Sequence, residues 1–98
     1  MKIKLPEPFE FDGRTVDELD ADLEGLTGRD MSEIKRRWTA LGNSGPVVMA
    51  MDADYCIMCL QKAVKPTLPM AFFDALPGPT WLYLSQAVGN FLVQQGWR

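Results

Sequence analysis

Two cysteines are the residues of this chain whose spacing most suggests chemistry. Cys56 and Cys59 are separated by two residues, as in thiol-redox motifs and in half of many zinc sites. A zinc site needs four ligands, and the sequence has no histidine and no further cysteine. A redox pair belongs at the exposed start of a helix, whereas these two lie among apolar residues at positions i and i+3. We predict two buried thiols that act as small hydrophobic residues, with a thiol-redox protein as the alternative.

Acidic residues between positions 17 and 24 are the next candidates, because closely spaced carboxylates can bind calcium. They lack the glycine and the terminal glutamate of an EF-hand loop, so we interpret them as the solvated face of a strand. The lack of histidine removes the commonest general base, and the sequence has no phosphate-binding glycine loop and no nucleophile elbow. We therefore predict that the protein is not an enzyme and uses no cofactor and no metal. The acids are Asp17, Glu18, Asp20, Asp22 and Glu24.

Length and net charge restrict the class of protein further. The 98 residues are enough for one domain, which we expect to span residues 1–98. A formal charge of −3 and a pI near 4.8 argue against nucleic acid as a partner. No apolar run reaches the roughly 18–20 residues that span a membrane, and the N-terminus lacks the apolar core of a signal peptide. We expect a cytoplasmic protein with neither a nucleic-acid nor a membrane partner.

Charge is distributed unevenly along the chain. Residues 1–33 hold ten of the thirteen acids, whereas residues 66–98 hold one acid and one base, Asp74 and Arg98. The same final third contains six of the ten aromatic residues. A solvent-facing segment of a monomer normally carries more charge than this. Part of this third is therefore a candidate for contact with another protein chain, with core packing as the alternative.

The N-terminal region is predicted to form a β-hairpin over about residues 8–24. Prolines within residues 2–11 oppose a helix, and Asp12-Gly13 is a strong turn signal because both positions tolerate positive φ. Residues 14–24 allow two interpretations. Alternating apolar and acidic residues indicate a half-buried strand, whereas apolar residues at helical spacing, with Thr15 and Glu18 as a capping box, indicate a helix. We favour the strand.

The register of this hairpin predicts an irregularity. A two-residue turn places Val16 opposite Phe9, and strict alternation then puts Leu19 on the other face of the sheet. One extra residue restores a single apolar face. We therefore predict a bulge near Val16 or Asp17, or a longer loop.

Helices are predicted for the rest of the chain, so the fold is mainly α with an N-terminal hairpin. The segment from Met49 to Lys65 is apolar on most sides and is expected to be the central, buried helix. Proline and glycine clusters separate it from its neighbours. The predicted helices span about residues 29–42, 48–64, 70–75 (a short one) and 79–95.

The first helix has recognisable capping and packing residues. Thr27 or Asp30 is placed to cap its start. Its basic run, residues 35–37, suits the C-terminal half of a helix and is also available to pair with the acidic hairpin. The expected core-facing stripe is Met31, Ile34, Trp38 and Leu41.

Short segments from both halves of the chain form a recognisable series. The first half contributes Leu5-Pro6-Glu7-Pro8-Phe9, Gly13, Glu18-Leu19-Asp20 and Leu26-Thr27-Gly28-Arg29-Asp30. The second half contributes Met51-Asp52-Ala53-Asp54-Tyr55, Leu76-Pro77 and Val88-Gly89-Asn90-Phe91-Leu92. In order and spacing, this series resembles the tail assembly chaperones of long-tailed bacteriophages over most of the chain. The sequence departs from the resemblance at Gly78-Pro79, near which such proteins often carry an acidic residue.

The resemblance implies a small, mostly helical protein encoded by a phage or prophage tail cluster. Such chaperones bind the long, helix-rich tape measure protein, keep it soluble and help tail tube subunits to polymerise around it. They act in the host cytoplasm, are generally absent from the mature virion and often self-associate; some are also made as a longer, frameshifted form. The family has no catalytic residues to transfer. The alternative is a structural tail or head–tail completion protein that is retained in the virion.

The predicted partner-binding surface lies in the last third of the chain. A nearly uncharged helix with small and aromatic residues suits a groove that binds an amphipathic partner helix. Core packing of the same aromatic residues is the competing interpretation. The predicted contact residues are Phe72, Phe73, Trp81, Tyr83, Leu84 and Phe91.

Overall fold

An N-terminal β-hairpin precedes a set of helices in the computed structural model, which describes residues 1–42 and 52–94. The predicted arrangement of hairpin followed by helices is therefore confirmed. The central helix begins at Ala53, after its extended N-cap Asp52, so the prediction that residue 52 lies inside this helix is wrong. The predicted starting residue, 48, and the predicted final residue of the last helix, 95, lie outside the described residues. The elements are β1 (Lys2–Phe11), β2 (Arg14–Asp20), a 3₁₀ turn (Leu23–Gly25), α1 (Gly28–Ala40), α2 (Ala53–Ala63), α3 (Met70–Asp74) and α4 (Gly78–Gln94).

The hairpin turn is the predicted two-residue turn. Asp12 and Gly13 have φ angles of 51° and 78°, the positive values that suit the twist of an antiparallel pair. Phe9 pairs with Val16, as the two-residue turn requires. Because residues 14–20 form a strand, the helical interpretation of this segment is wrong. The strand is shorter than predicted, since residues 23–25 form the 3₁₀ turn.

The predicted register irregularity is present, but its extra residues lie in β1. Between the pairs Lys4–Glu18 and Phe9–Val16, β1 contains four residues and β2 only Asp17. An odd excess of three reverses the alternation of side chains, so Leu19 can be buried on the face that Phe9 partly covers. The segment of β1 that contains the excess, residues 5–8, includes two prolines, which cannot donate ladder hydrogen bonds, so the irregularity falls there.

Helix α1 begins with the predicted cap. Thr27 Oγ1 accepts a hydrogen bond from Asp30 N at 3.2 Å, and Asp30 Oδ2 accepts one from Thr27 N at 2.9 Å. The side chains of Ile34 and Trp38 are buried as expected. The prediction that Leu41 faces the core is wrong: α1 ends at Ala40, and Leu41 is 69% exposed.

A lysine of α2 forms the ion pairs with the start of α1. Lys62 Nζ lies 2.9 Å from Glu33 Oε2 and 3.8 Å from Asp30 Oδ1. Among the described residues, no ion pair joins the basic run at 35–37 to the hairpin. The hairpin instead pairs through the Met1 amino group with Asp20.

Helix α2 is the centre of the fold, as predicted. It packs against α1, α3, α4 and the 3₁₀ turn. The backbone that follows β2 also forms hydrogen bonds with the C-terminal end of α2. Ala21 forms an isolated antiparallel bridge with Val64, and Asp22 N donates to Ala63 O at 3.0 Å. The buried residues of α2 are Tyr55, Cys56, Ile57, Met58, Cys59, Leu60 and Ala63.

The short helix α3 fills the space under the hairpin. The ring of Phe72 packs edge-to-face with Phe9, Phe11 and Phe73, at centroid distances of 5.6, 5.4 and 5.1 Å. Phe72 and Phe73 are fully buried. None of the helices in the described ranges has the length and apolar character needed to cross a membrane.

Candidate partner-binding surface

The outer side of α4 is an uncharged surface with exposed hydrophobic side chains. Helix α4 contains no charged residue from Gly78 to Gln94. Leu82, Tyr83 and Val93 are 50, 47 and 46% exposed, and they are three of the five large hydrophobic residues that are exposed in the described part of the chain. With Gln86 and Asn90, which are also exposed, these three residues form what we call the α4 face.

The side of α4 that packs on the core determines which of its residues are exposed. Leu84, Val88 and Leu92 recur every four residues and are buried in the core. Ser85 is buried beside them, and its hydroxyl donates to Leu82 O at 2.8 Å, so the buried polar group is paired within the helix. The α4 face is therefore the side of the helix that does not pack on the core. It carries amide and apolar side chains, whereas the outer side of an amphipathic helix usually carries charged ones.

A groove of about 440 Å³ lies between the α4 face and the start of α2. Helix α2 contributes Ala53 and Cys56, of which Cys56 is only 1% exposed. Every described side chain that lines the groove is uncharged, so an apolar partner can enter without removing water from a charged group among these residues. The α4 residues of the groove are Leu82, Ser85, Gln86, Gly89, Asn90 and Val93.

The two cysteines form no disulfide, and both are buried in the interior of the protein. Burial raises the pKa of Cys56 to about 11, and the pKa of Cys59 to about 12. A thiol with so high a pKa is protonated at neutral pH and is a poor nucleophile. The predicted burial of both side chains is confirmed, at 1 and 0% exposure. Within the described ranges, no three histidine, cysteine or acidic residues are grouped closely enough to hold a metal ion.

The predicted contact residues fall into three groups. Phe72, Phe73 and Leu84 are fully buried, so they form the core. Trp81 and Phe91 are partly buried and pack against that core. Tyr83 alone among the six is exposed, and it lies on the α4 face.

Two residues of this surface, Leu82 and Val93, were not among the predicted contact residues. Both share a helix face with the exposed amide residues Gln86 and Asn90. The sequence signal for this shared face is the spacing of 4, 4 and 3 residues between positions 82, 86, 90 and 93. It is weak in a helix whose apolar residues occupy every side.

Known proteins provide no further assignment for this surface. Comparison of the chain with protein-family models, with curated proteins and with solved structures finds no match.

Proposed function

We propose that the protein is a phage tail assembly chaperone that binds helices of the tape measure protein and keeps that protein soluble while the tail tube forms around it. In this proposal it acts in the host cytoplasm, without catalysis, and is absent from the mature virion. The resemblance of its short segments to that family supplies the biological role. The α4 face supplies the physical basis for binding.

The observation that carries the proposal is the exposure of Leu82, Tyr83 and Val93 on one uncharged helix face. Leu82 and Val93 are eleven residues apart, which corresponds to about 16 Å along a helix. An amphipathic partner helix presents apolar residues over three turns across a similar distance. Interface cores are enriched in aromatic residues and depleted of charge, as this face is.

The groove beside the α4 face supports a helical occupant over an extended one. Its lining includes Ala53, Ser85 and Gly89, small residues that permit a partner helix to approach closely. The amides of Gln86 and Asn90 are exposed along the same groove and can bond to polar groups at the edge of the partner. A helix needs few backbone hydrogen bonds from its partner, which fits a groove formed mainly by side chains.

Co-expression with the tape measure protein tests the proposal. We expect the two proteins to form a soluble complex in size-exclusion chromatography with light scattering, and the tape measure protein alone to be insoluble. Recovery of an insoluble partner beside a soluble, unbound chaperone would contradict the proposal. Mass spectrometry of purified virions is a second test, because abundant protein there would favour a structural tail component.

Variants of the α4 face locate the contact. Leu82→Glu with Val93→Glu should reduce recovery of the complex at least tenfold, since each change places a charge in an apolar interface and loses part of the roughly 1.5–3 kcal/mol of a buried side chain. Ser32→Glu with Ala40→Glu, which adds the same two charges on the exposed side of α1, is the matched control and should leave recovery unchanged. Equal recovery from both variants would exclude the α4 face as the binding surface.

A further inference from the structure

A second cleft, of about 320 Å³, lies where the four α-helices of the described residues meet. Its apolar lining combines Ile57 and Met58, which are buried in α2, with Met70 and Trp81, which are partly buried at the starts of α3 and α4. Methionine side chains adapt to differently shaped partners, and tryptophan is the aromatic residue that attracts cations most strongly. We call this the four-helix cleft.

Charged residues border the four-helix cleft, whereas none of the described residues that line the groove beside α4 is charged. Asp54 of α2 and Asp74 of α3 line it, and Arg37 of α1 lines it as well. All three are exposed. Among the residues that the structure describes, no ion pair within 4.0 Å involves any of them. The cleft therefore offers two carboxylates against one guanidinium, an excess of one negative charge.

We propose that the four-helix cleft binds a basic amphipathic helix of the partner protein, with an apolar side chain against Met58, Met70 and Trp81 and a neighbouring arginine or lysine at Asp54 and Asp74. This inference rests on the proposed function, because it assumes a helical protein partner, and it adds the chemistry of the segment that the partner presents. The cleft is a contact additional to the α4 face.

Charge complementarity selects a basic occupant over a neutral one. A guanidinium can bond to a carboxylate through two parallel N–H groups and can pack on an aromatic ring at the same time, so a cleft with Asp54, Asp74 and Trp81 suits it. Arg37 repels a second cation, which limits the occupant to one net positive charge at this point. An acidic helix is disfavoured, because its carboxylates would lie beside those of Asp54 and Asp74 in an otherwise apolar cleft.

A pair of synthetic peptides tests the inference on the full-length protein. Both are alanine-based helices with a leucine and, four residues later, either arginine or glutamine. We expect the arginine peptide to bind about tenfold more tightly in fluorescence anisotropy, because an ion pair with the exposed carboxylates and a cation–π contact with the ring of Trp81 add together. In NMR spectra it should also shift the Trp81 indole N–H signal, which a Trp81→Phe variant identifies.

Matched variants separate the cleft from general attraction to an acidic protein. Asp54→Asn with Asp74→Asn should remove the preference for arginine. Asp17→Asn with Glu18→Gln makes the same change of charge on the exposed hairpin and should retain the preference. Circular dichroism and unfolding midpoints close to those of the unmodified protein would show that each variant is folded.

Several outcomes overturn the inference. Equal affinity for the two peptides, binding of neither, or the same loss of preference in both double variants would each exclude a cation-selective cleft. Failure of the unmodified chain to solubilise the tape measure protein would overturn the proposed function while leaving the peptide result standing. Solubilisation with no preference between the peptides would retain the proposed function and reject the cleft.

Discussion

Asp52 joins two helices through one carboxylate oxygen. Its Oδ1 accepts a hydrogen bond of 2.9 Å from Tyr55 N, which caps the start of α2. The same oxygen accepts a hydrogen bond of 2.9 Å from Trp38 Nε1 of α1, whose side chain is buried. The rings of Trp38 and Tyr55 pack edge-to-face, at a centroid distance of 6.3 Å. Replacing Asp52 with alanine should therefore weaken the α1–α2 interface as well as the cap.

The expected loss follows from these two bonds. An N-cap contributes about 1 kcal/mol, and a hydrogen bond to a charged group contributes about 1.5–3 kcal/mol. We therefore expect Asp52→Ala to lower the free energy of unfolding by about 2.5–4 kcal/mol, a large share of the roughly 5–15 kcal/mol typical of a domain. Asparagine caps helices as well as aspartate does, and its carbonyl oxygen also accepts, so Asp52→Asn should cost about 1 kcal/mol or less.

Urea unfolding followed by circular dichroism measures these losses, and an unchanged dependence on urea would show that the unfolded states are comparable. A double-mutant cycle with Trp38→Phe isolates the bond between the helices. We expect a coupling energy of about 1.5–3 kcal/mol, the contribution given above for this bond, because substitutions of residues in direct contact are not additive. A loss of less than about 1 kcal/mol for Asp52→Ala would refute the double role of Asp52 as helix cap and helix–helix link. Equal losses in the alanine and asparagine variants, or strict additivity with Trp38→Phe, would refute it as well.

Three further predictions concern other elements. Because burial raises the pKa of Cys56 and Cys59 to about 11 and about 12, a thiol reagent at pH 8 should label the native protein at least about 100-fold more slowly than the protein in urea; comparable rates would contradict their burial. Gly13→Ala should cost roughly 1 kcal/mol in urea unfolding, since φ is 78° there, and an unchanged midpoint would count against the turn. The hydrogen bond from Lys62 lowers the pKa of Glu33 from 4.5. Lys62→Ala should therefore be less stable than the unmodified protein at pH 7. This difference in stability should disappear as the pH falls through the folded-state pKa of Glu33, which lies below 4.5. A difference independent of pH would argue against this pair.

Local signals in the sequence were sufficient to predict the hairpin. Asp12-Gly13 fixes the turn, and the position of Leu19 relative to Phe9 requires an odd number of extra residues. Alternation alone does not determine whether β1 or β2 carries the extra residues, because extra residues in either strand restore a single apolar face. The prolines at positions 6 and 8 carried that information through their missing N–H groups.

Exposure within the last third could not be predicted from residue type. Leu82 and Leu84 are the same residue two positions apart in one helix, yet they are 50 and 0% exposed. A helix with apolar residues on most sides gives little indication of which side meets the core. Phe72 was predicted to contact a partner, and the structure instead surrounds it with rings of β1 that lie about 60 positions earlier in the chain. Contacts of that separation are set by the tertiary arrangement.

The packing of Phe72 on Phe9 and Phe11 has a consequence for biosynthesis. At roughly 5–20 residues per second, a ribosome adds the intervening chain in about 3–12 s, and during that time the apolar residues of the hairpin segment have no cover. A two-stranded hairpin is at best marginally stable alone, so it should form only after α3 emerges. Because residues 1–33 hold ten acids against four bases, like-charge repulsion should keep copies of this segment apart until that cover arrives.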